Sequence, residues 1–284
     1  MADKPTIAIT MTGHNEAHLL PQAMENLGWA DELIYVDCES ADDSLEVARR
    51  YTTRIFERPN TTNLNVNKAH GIAQATADWV FYLDPDEVIS PELAAEIQQV
   101  VASNPQENAF ELPRRNHFFG KWLRHGGQYP DIQLRLFRRG KAHFPCKHVH
   151  ERLEVQGKTG RLKQAMDHFT IDSPMTAVRK MDFFSTFNAQ AMARSGRRPG
   201  FWLAFQFIFF KPSSRFIRRF FFKGGFLDGF EGFIQATITA VDFAFRYFKF
   251  WYLARHPEAL PPLEDIAPPG PEAQQGTAPG EKTS

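Results

Sequence analysis

Cysteine is almost missing: the 284-residue chain has two, Cys38 and Cys146. Two thiols cannot build a disulfide framework and these match no metal-ligand spacing, so a reducing cytosol is the expected setting. Net charge is missing as well. Lys+Arg and Asp+Glu number 33 each, which removes any overall field toward nucleic acid or an acidic partner and leaves the argument to local clusters. The opening segment MADKPTIAIT shows no apolar h-region and no small-residue cleavage site, so no secretory signal is expected. The apolar run Phe201 to Phe210 is broken by Gln206, ends at Lys211-Pro212 and is too short to span a bilayer. Glycine is scarce where dinucleotide binding would need it: TGHNEA (Thr12 to Ala17) has one glycine in place of G-x-G-x-x-G, and no Walker A loop occurs. There is no internal repeat.

The first half contains strand and helix patterns in alternation. TIAITMT (Thr6 to Thr12), ELIYVD (Glu32 to Asp37), RIF (Arg54 to Phe56) and DWVFYLD (Asp78 to Asp84) read as buried strands. Leu19 to Leu27, Leu45 to Tyr51 within SADDSLEVARRY (Ser40 to Tyr51), and Asn67 to Ala77 carry helical spacing between them. Strands and helices in this succession predict an α/β fold, a mostly parallel sheet flanked by helices. Ser90 as N-cap with Pro91 at the first helical position opens a further helix to Ser103. NAFELPRR, DIQLRLFRRG and HVHERLEVQG read as later, antiparallel strands, and Ser173 to Ala193 as a helix. The tail His256 to Ser284, rich in Pro, Gly, Ala, Gln and Glu, has little to bury and is expected to be disordered.

Ligands of open parallel sheets sit at the carboxyl ends of the strands. The polar residues of this half gather there: Asn15 and Glu16 after the first strand, Asp37 closing the second, Asp42 and Asp43 in the loop after it, Asp84 and Asp86 closing the fourth. In extended chain Asp84 and Asp86 leave on one side, about 7 Å apart. Two carboxylates so placed suit a hard divalent cation, Mg2+ or Mn2+, with waters and a diphosphate completing its shell. A turn of solvated acids is the plainer alternative. Glu87 serves as a cap or supports the turn.

Assembled in order, MTGHNEAHLL, ADELIYVDCESADDSLEVA, NVNKAHGIAQATADWVFYLDPDEVISPEL, LPRRNHFFGKWLRHGGQYPDIQLRLFRRGKAHF and HVHERL resemble the family 2 glycosyltransferases of GT-A fold, more narrowly the lipopolysaccharide core β-1,4-glucosyltransferase-like branch. The resemblance implies that Asn15, Glu16, Asp37 and Asp42 hold the nucleobase and ribose of a nucleotide sugar, usually UDP. It implies that Asn67 and Lys68 face the nucleotide and sugar, and that Asp84 and Asp86 form the metal motif, with Asp86 as the direct ligand. Asp131, after Gly126-Gly127 and Pro130, is the implied catalytic base, and Glu151 is its rival. His148 and His150 allow a metal role or a surface one. Arg114, Arg115, Arg135, Arg138 and Arg139 make the region basic, as an anionic donor or a solvated strand face would require.

The implied activity is inverting and metal-dependent transfer of a hexose, glucose from UDP-glucose in this branch, to a lipopolysaccharide core or other lipid-linked glycan. A polyprenyl-phosphate acceptor and a catalytically silent nucleotide-binding or membrane-docking module are the alternatives. After residue 180 phenylalanine accumulates. Leu227, Phe230, Ile234, Ile238, Val241, Phe245, Phe248 and Tyr252 form a stripe on an amphipathic helix, expected to pack on the catalytic domain. Phenylalanines interleaved with Lys211, Arg215, Arg219 and Lys223 suit an anionic membrane surface. The expected organisation is a catalytic domain over 1–170, a helical, membrane-associating extension over 171–255 and a tail over 256–284, on the inner face of the cytoplasmic membrane.

Overall fold

The computed structural model describes residues 4–61, 63–146 and 151–260. It begins with β1 (Ile7–Gly13), α1 (Leu20–Met24), β2 (Glu32–Asp37), α2 (Ser44–Ala48), β3 (Arg54–Glu57), α3 (Leu64–Gln74) and β4 (Trp79–Leu83). The four strands pair in parallel in the order β3-β2-β1-β4, with Ile9 opposite Phe81 and Gly13 opposite Asp37. Side chains of β1 and β4 alternate between two cores. Ile9, Met11, Trp79 and Phe81 join one with Leu93 and Ile97, whereas Ala8 and Val80 join the other with Ile34 and Phe137. A strand covered on both faces must be apolar throughout, and each large side chain so buried contributes about 1.5–3 kcal/mol.

The helix expected from Asn67 starts three residues earlier. Asn63 caps it by accepting from the Asn65 amide at 3.2 Å, and Ala75 turns extended at its end, leading into β4. Ser90 accepts from the Leu93 amide and starts α4 (Pro91–Ala102), after the short β5 (Glu87–Val88). β6 (Ala109–Phe118), β7 (Lys121–Trp122), β8 (Asp131–Arg138), β9 (Ala142–His143), β10 (Glu154–Val155), β11 (Thr159–Arg161) and β12 (Met166–Ile171) follow. β8 runs antiparallel to both β4 and β6, extending the parallel half into a mixed sheet of order β3-β2-β1-β4-β8-β6-β12-β5. Among the described residues of HVHERLEVQG only Glu154–Val155 is strand, paired with β9; residues 147–150, with His148 and His150, lie outside the described residues.

The remaining described chain is helical. Ser173 caps α5 (Pro174–Arg194), and α6 (Phe201–Phe205), α7 (Lys211–Ile217) and α8 (Gly229–Arg255) follow, joined by wide π-type turns at Gln206–Phe210 and Arg218–Phe222 and a 3-10 turn at Gly225–Asp228. The apolar stripe of α8 does not pack inward as expected. Leu227, Phe230, Val241, Phe245, Phe248 and Tyr252 are exposed, while Gly232, Ala236, Ala240, Tyr247 and Phe250 are buried. Small residues let α8 approach its neighbours closely, which turns its phenylalanines outward. No helix among the described residues is long and apolar enough to cross a membrane. Of the tail, Pro257–Ala259 forms one 3-10 turn, and 261–284 lies outside the described residues.

Candidate active site

The loops at the carboxyl ends of β1, β2 and β4 meet as the topology requires. Gly13 closes β1 beneath the turn that follows β4. A Cβ at Gly13 would stand 2.8 Å from the Tyr35 hydroxyl and 3.2 Å from Pro85 Cγ, so only glycine lets that turn settle there. The turn itself corrects the extended-chain expectation for Asp84 and Asp86. The Glu87 amide donates to the Asp84 carbonyl at 2.9 Å and the Asp84 amide to Glu87 Oε2 at 3.0 Å, and the two aspartates turn to different partners.

Asp84 accepts from Lys68 Nζ at 2.5 Å and Arg135 Nη2 at 3.0 Å. Burial alone would raise its carboxyl, but these two cations outweigh burial and hold it far below the usual carboxylate range. Glu87, expected to do no more than cap or support the turn, is fully buried and takes both Arg135 and Arg114. Arg114 then reaches Asp131 Oδ2 through Nε at 3.0 Å and Nη2 at 2.7 Å. One run of alternating charges, Lys68, Asp84, Arg135, Glu87, Arg114 and Asp131, thus passes beneath the cleft, and each buried charge in it is paired.

A second run joins the same ends. Asp86 Oδ2 lies 3.2 Å from His168 Nε2 and 3.3 Å from Lys180 Nζ. His168 Nδ1 meets Asn116 Oδ1 at 2.6 Å, and the Asn116 amide group donates to Asp131 Oδ2 at 3.1 Å. Sheet register builds this bridge: His168 stands opposite Asn116 on one side and Glu87 on the other, and Arg114 stands opposite Asp131. Donating from Nδ1 to Asn116 Oδ1 fixes the ring with Nε2 toward Asp86, and Nε2 can donate to that carboxylate only when the ring carries both protons. Burial raises the Asp86 carboxyl, yet the His168 bond and charge and Lys180 bring it down to about 2. Glu16 behaves oppositely, pushed up to about 7 by burial and then by the Asp86 charge.

Asp131 keeps one oxygen away from Arg114. Gln133 Nε2 donates to Oδ1 at 2.8 Å. Burial is again outweighed, by Arg114 first and then by Asn116 and Gln133, so the carboxyl titrates below its ordinary value. Glu151, the rival, lies close enough to Cys146 that burial and then the Glu151 charge push that thiol up.

The residues expected at the nucleotide gather at the neighbouring strand ends, where several fasten loops. Asn15, with φ 56°, accepts through Oδ1 from the Ala41 amide at 2.7 Å, and Asp42 accepts from Ser44 and from the Ala17 amide. Asp37 is buried and accepts from the Ser40 amide at 2.9 Å through Oδ2, while Oδ1 has no partner. Asn67 donates to Cys38 Sγ at 3.1 Å and to the Pro59 carbonyl at 2.9 Å, and its Oδ1 is likewise unpaired. Of the five arginines, Arg114 and Arg135 enter the site. Arg115 pairs with Asp167 at 2.7 Å, and Arg138 and Arg139 bond backbone carbonyls at Pro105 and Ala77.

Sequence reasoning missed His168, Asn116 and Lys180. Period-two alternation in MDHFTI, which sets His168 and Thr170 on one side of a strand, was the available signal for the first. Asp86 and His168 are the pair that could take a divalent ion. Among the described residues no three His, Cys, Asp or Glu side chains converge on one point, and an ion held by Asp86 and His168 would draw most of its shell from ligand and water.

The model of Glycosyl transferase family 2 matches residues 8–184. The lipopolysaccharide core biosynthesis glycosyltransferase LpsC of Rhizobium meliloti (strain 1021) is 26% identical over 258 residues, covering 88% of this chain and 93% of its own. An uncharacterized glycosyltransferase of Rickettsia felis is 26% identical over 270 residues, covering 87% of both chains. Among solved structures, S. aureus TarS in complex with UDP-GlcNAc is 11% identical, covers 89% of this chain and 92% of that chain, and superposes with a TM-score of 0.45. Carried by the family match over most of the catalytic sheet, the conclusion is that this chain belongs to glycosyltransferase family 2 and is a glycosyltransferase of GT-A fold.

Proposed function

We propose that the protein transfers a hexose with inversion, glucose from UDP-glucose being the first candidate donor, to a lipopolysaccharide core or another lipid-linked glycan at the inner face of the cytoplasmic membrane. Residues 1–170 are the catalytic unit and 171–255 the extension that serves it. The observation that carries the reading is the bridge through His168 and Asn116 that ties Asp86 to Asp131. Similarity to the lipopolysaccharide core enzyme supports the acceptor class.

Each end of the bridge has a task. Asp86 and His168 would hold Mg2+ or Mn2+, which when bound supplies Lewis acidity to the departing diphosphate oxygen. Lys68 and Arg135 hold Asp84, and Lys180 holds Asp86, which fixes both aspartates in place. Asp131 takes the proton of the attacking acceptor hydroxyl through Oδ1, the oxygen not held by Arg114. Arg114 and Asn116 fix the carboxylate in orientation. Asp37 and Asn67, each with an unpaired buried oxygen, face the nucleoside with Asn15, Glu16 and Asp42.

The test is UDP release from a panel of nucleotide sugars, with and without Mn2+. Asp131→Asn should lose about 10²–10⁴-fold in rate while binding donor as before. Asp86→Ala should lose the response to Mn2+, and turnover equal to wild type in that variant would sink the metal mechanism.

A further inference from the structure

In α8 the usual polarity of a surface helix is reversed. Its polar side chains point to the protein: Asp228, just before its first residue, is buried and accepts from the Arg124 and His125 amides and from His125 Nδ1. Lys249 donates to the Asp182 carbonyl and carboxylate, Ser185 Oγ and Thr186 Oγ1 of α5 at 2.7–2.8 Å. Asp242 and Arg246 pair with each other. Packing against α5 and the Gln206–Phe210 turn runs through Ala189, Phe207, Tyr247 and Phe250, and the small residues Gly232, Ala236 and Ala240 are buried along the same helix. The large side chains are left outside, Phe222 at 84%, Trp202 at 74% and Phe230 at 71% exposure, with Phe248 and Tyr252 half exposed. In water a helix does the opposite. Small residues between helices with large apolar ones outward is the arrangement lipid favours.

Charge on this face has one sign. Arg215, Arg218, Arg219 and Lys223 recur at helical spacing along α7 and the turn after it, and none of them forms an ion pair among the described residues. Arg219 Nη1 is buried without a partner. Burial, then Arg215 and Arg218 beside it, pull its guanidinium below its ordinary value, the state of a cation group that an anion would relieve.

We propose that this face is a membrane-docking surface of stated polarity: Trp202, Phe222, Phe230 and Phe248 enter the headgroup and acyl boundary of a bilayer, and Arg215, Arg218, Arg219 and Lys223 take the phosphates of anionic lipids. The helices lie in the plane of the interface, α8 along roughly 40 Å of it. Building on the membrane-linked acceptor argued above, the surface also sets the acceptor's approach. The Gly126 amide donates to the Lys223 carbonyl at 2.9 Å, and the Lys223 side chain covers Gly127. The loop that leads to Asp131 therefore rests on the docked helices, and an acceptor anchored in that bilayer meets the base from the membrane side.

Flotation of the full-length protein decides it, with vesicles of phosphatidylcholine alone and with one third phosphatidylglycerol. The wild type should float with the anionic vesicles. Arg215→Gln with Arg218→Gln should bind them about thirty-fold more weakly, as loss of two surface cations implies. Trp202→Ser, Phe222→Ser and Phe230→Ser together should abolish flotation on both vesicles, while UDP release from a soluble donor, the check on folding, stays at the wild-type rate. Wild-type protein that does not float, or an aromatic variant that floats as well as wild type, overturns the proposal. So does a stable wild-type dimer without vesicle binding that the aromatic substitutions turn monomeric, since the face then belongs to a second copy. Flotation without UDP release from any nucleotide sugar would leave the docking surface standing and fail the transferase reading alone.

Discussion

Glu16 and Asp86 titrate in opposite senses because Asp86 is paired directly with His168 and Lys180, whereas Lys180 and His14 act on Glu16 too weakly to offset its burial. Burial raises Glu16 from 4.5 to about 7, and the Asp86 charge adds to that. An unfolded chain releases this proton near 4.5, the folded chain near 7, so the neutral group's contribution to stability is complete below 4.5 and declines as pH climbs through 7. Urea unfolding at pH 5 and pH 7.5, without divalent cation, should show wild type losing more stability over that interval than Glu16→Gln. Parallel losses would contradict the burial argument. At this scale the sequence placed Asp84 and Asp86 at a strand end, and the resemblance to the family pointed to Asp131, which opens β8. It left Glu87 undervalued, since a glutamate one residue past a D-x-D gives no sign that two arginines from other strands converge on it. His168 was hidden for a related reason: its partners Asn116 and Asp86 are distant in the chain and meet it only through register.

Elements were legible where local chemistry sets them. Ser90-Pro91 and Ser173-Pro174 mark helix starts that the structure keeps, because a side-chain oxygen satisfying an end amide needs nothing from the rest of the chain. The strand Met166–Ile171 was missed because its alternation is broken where Asp167 and His168 adjoin and continues over only a short run. For α8 the periodicity identified the stripe correctly and its direction wrongly. Gly232 explains the direction. A Cβ there would lie 2.0 Å from the Gly225 carbonyl oxygen, so contact with the preceding 3-10 turn admits only glycine. Gly232→Ala should therefore destabilise by about 1–3 kcal/mol, read as a lower unfolding midpoint. Gly28→Ala, with nothing within 4 Å, should change stability by no more than about 0.5 kcal/mol.

Across the whole molecule, whose charges balance, the catalytic sheet carries a helical extension whose outer side is aromatic. Such a surface in water invites self-association. Purified without detergent, the full chain should form polydisperse assemblies by light scattering, and mild detergent should reduce them to one uniform species. A sharp monomer in plain buffer would mean that the exposed rings cost less than their area implies. The sequence by itself determined the α/β succession, the strand-end carboxylates and the family, because apolar periodicity, caps and an ordered set of motifs are properties of consecutive residues. Only tertiary structure decided which charges pair, that His168 and Asn116 connect Asp86 to Asp131, and that α8 turns its phenylalanines away from the protein. Those outcomes depend on strand register and on how closely two backbones can approach, and neither is fixed until segments far apart in the chain are packed together.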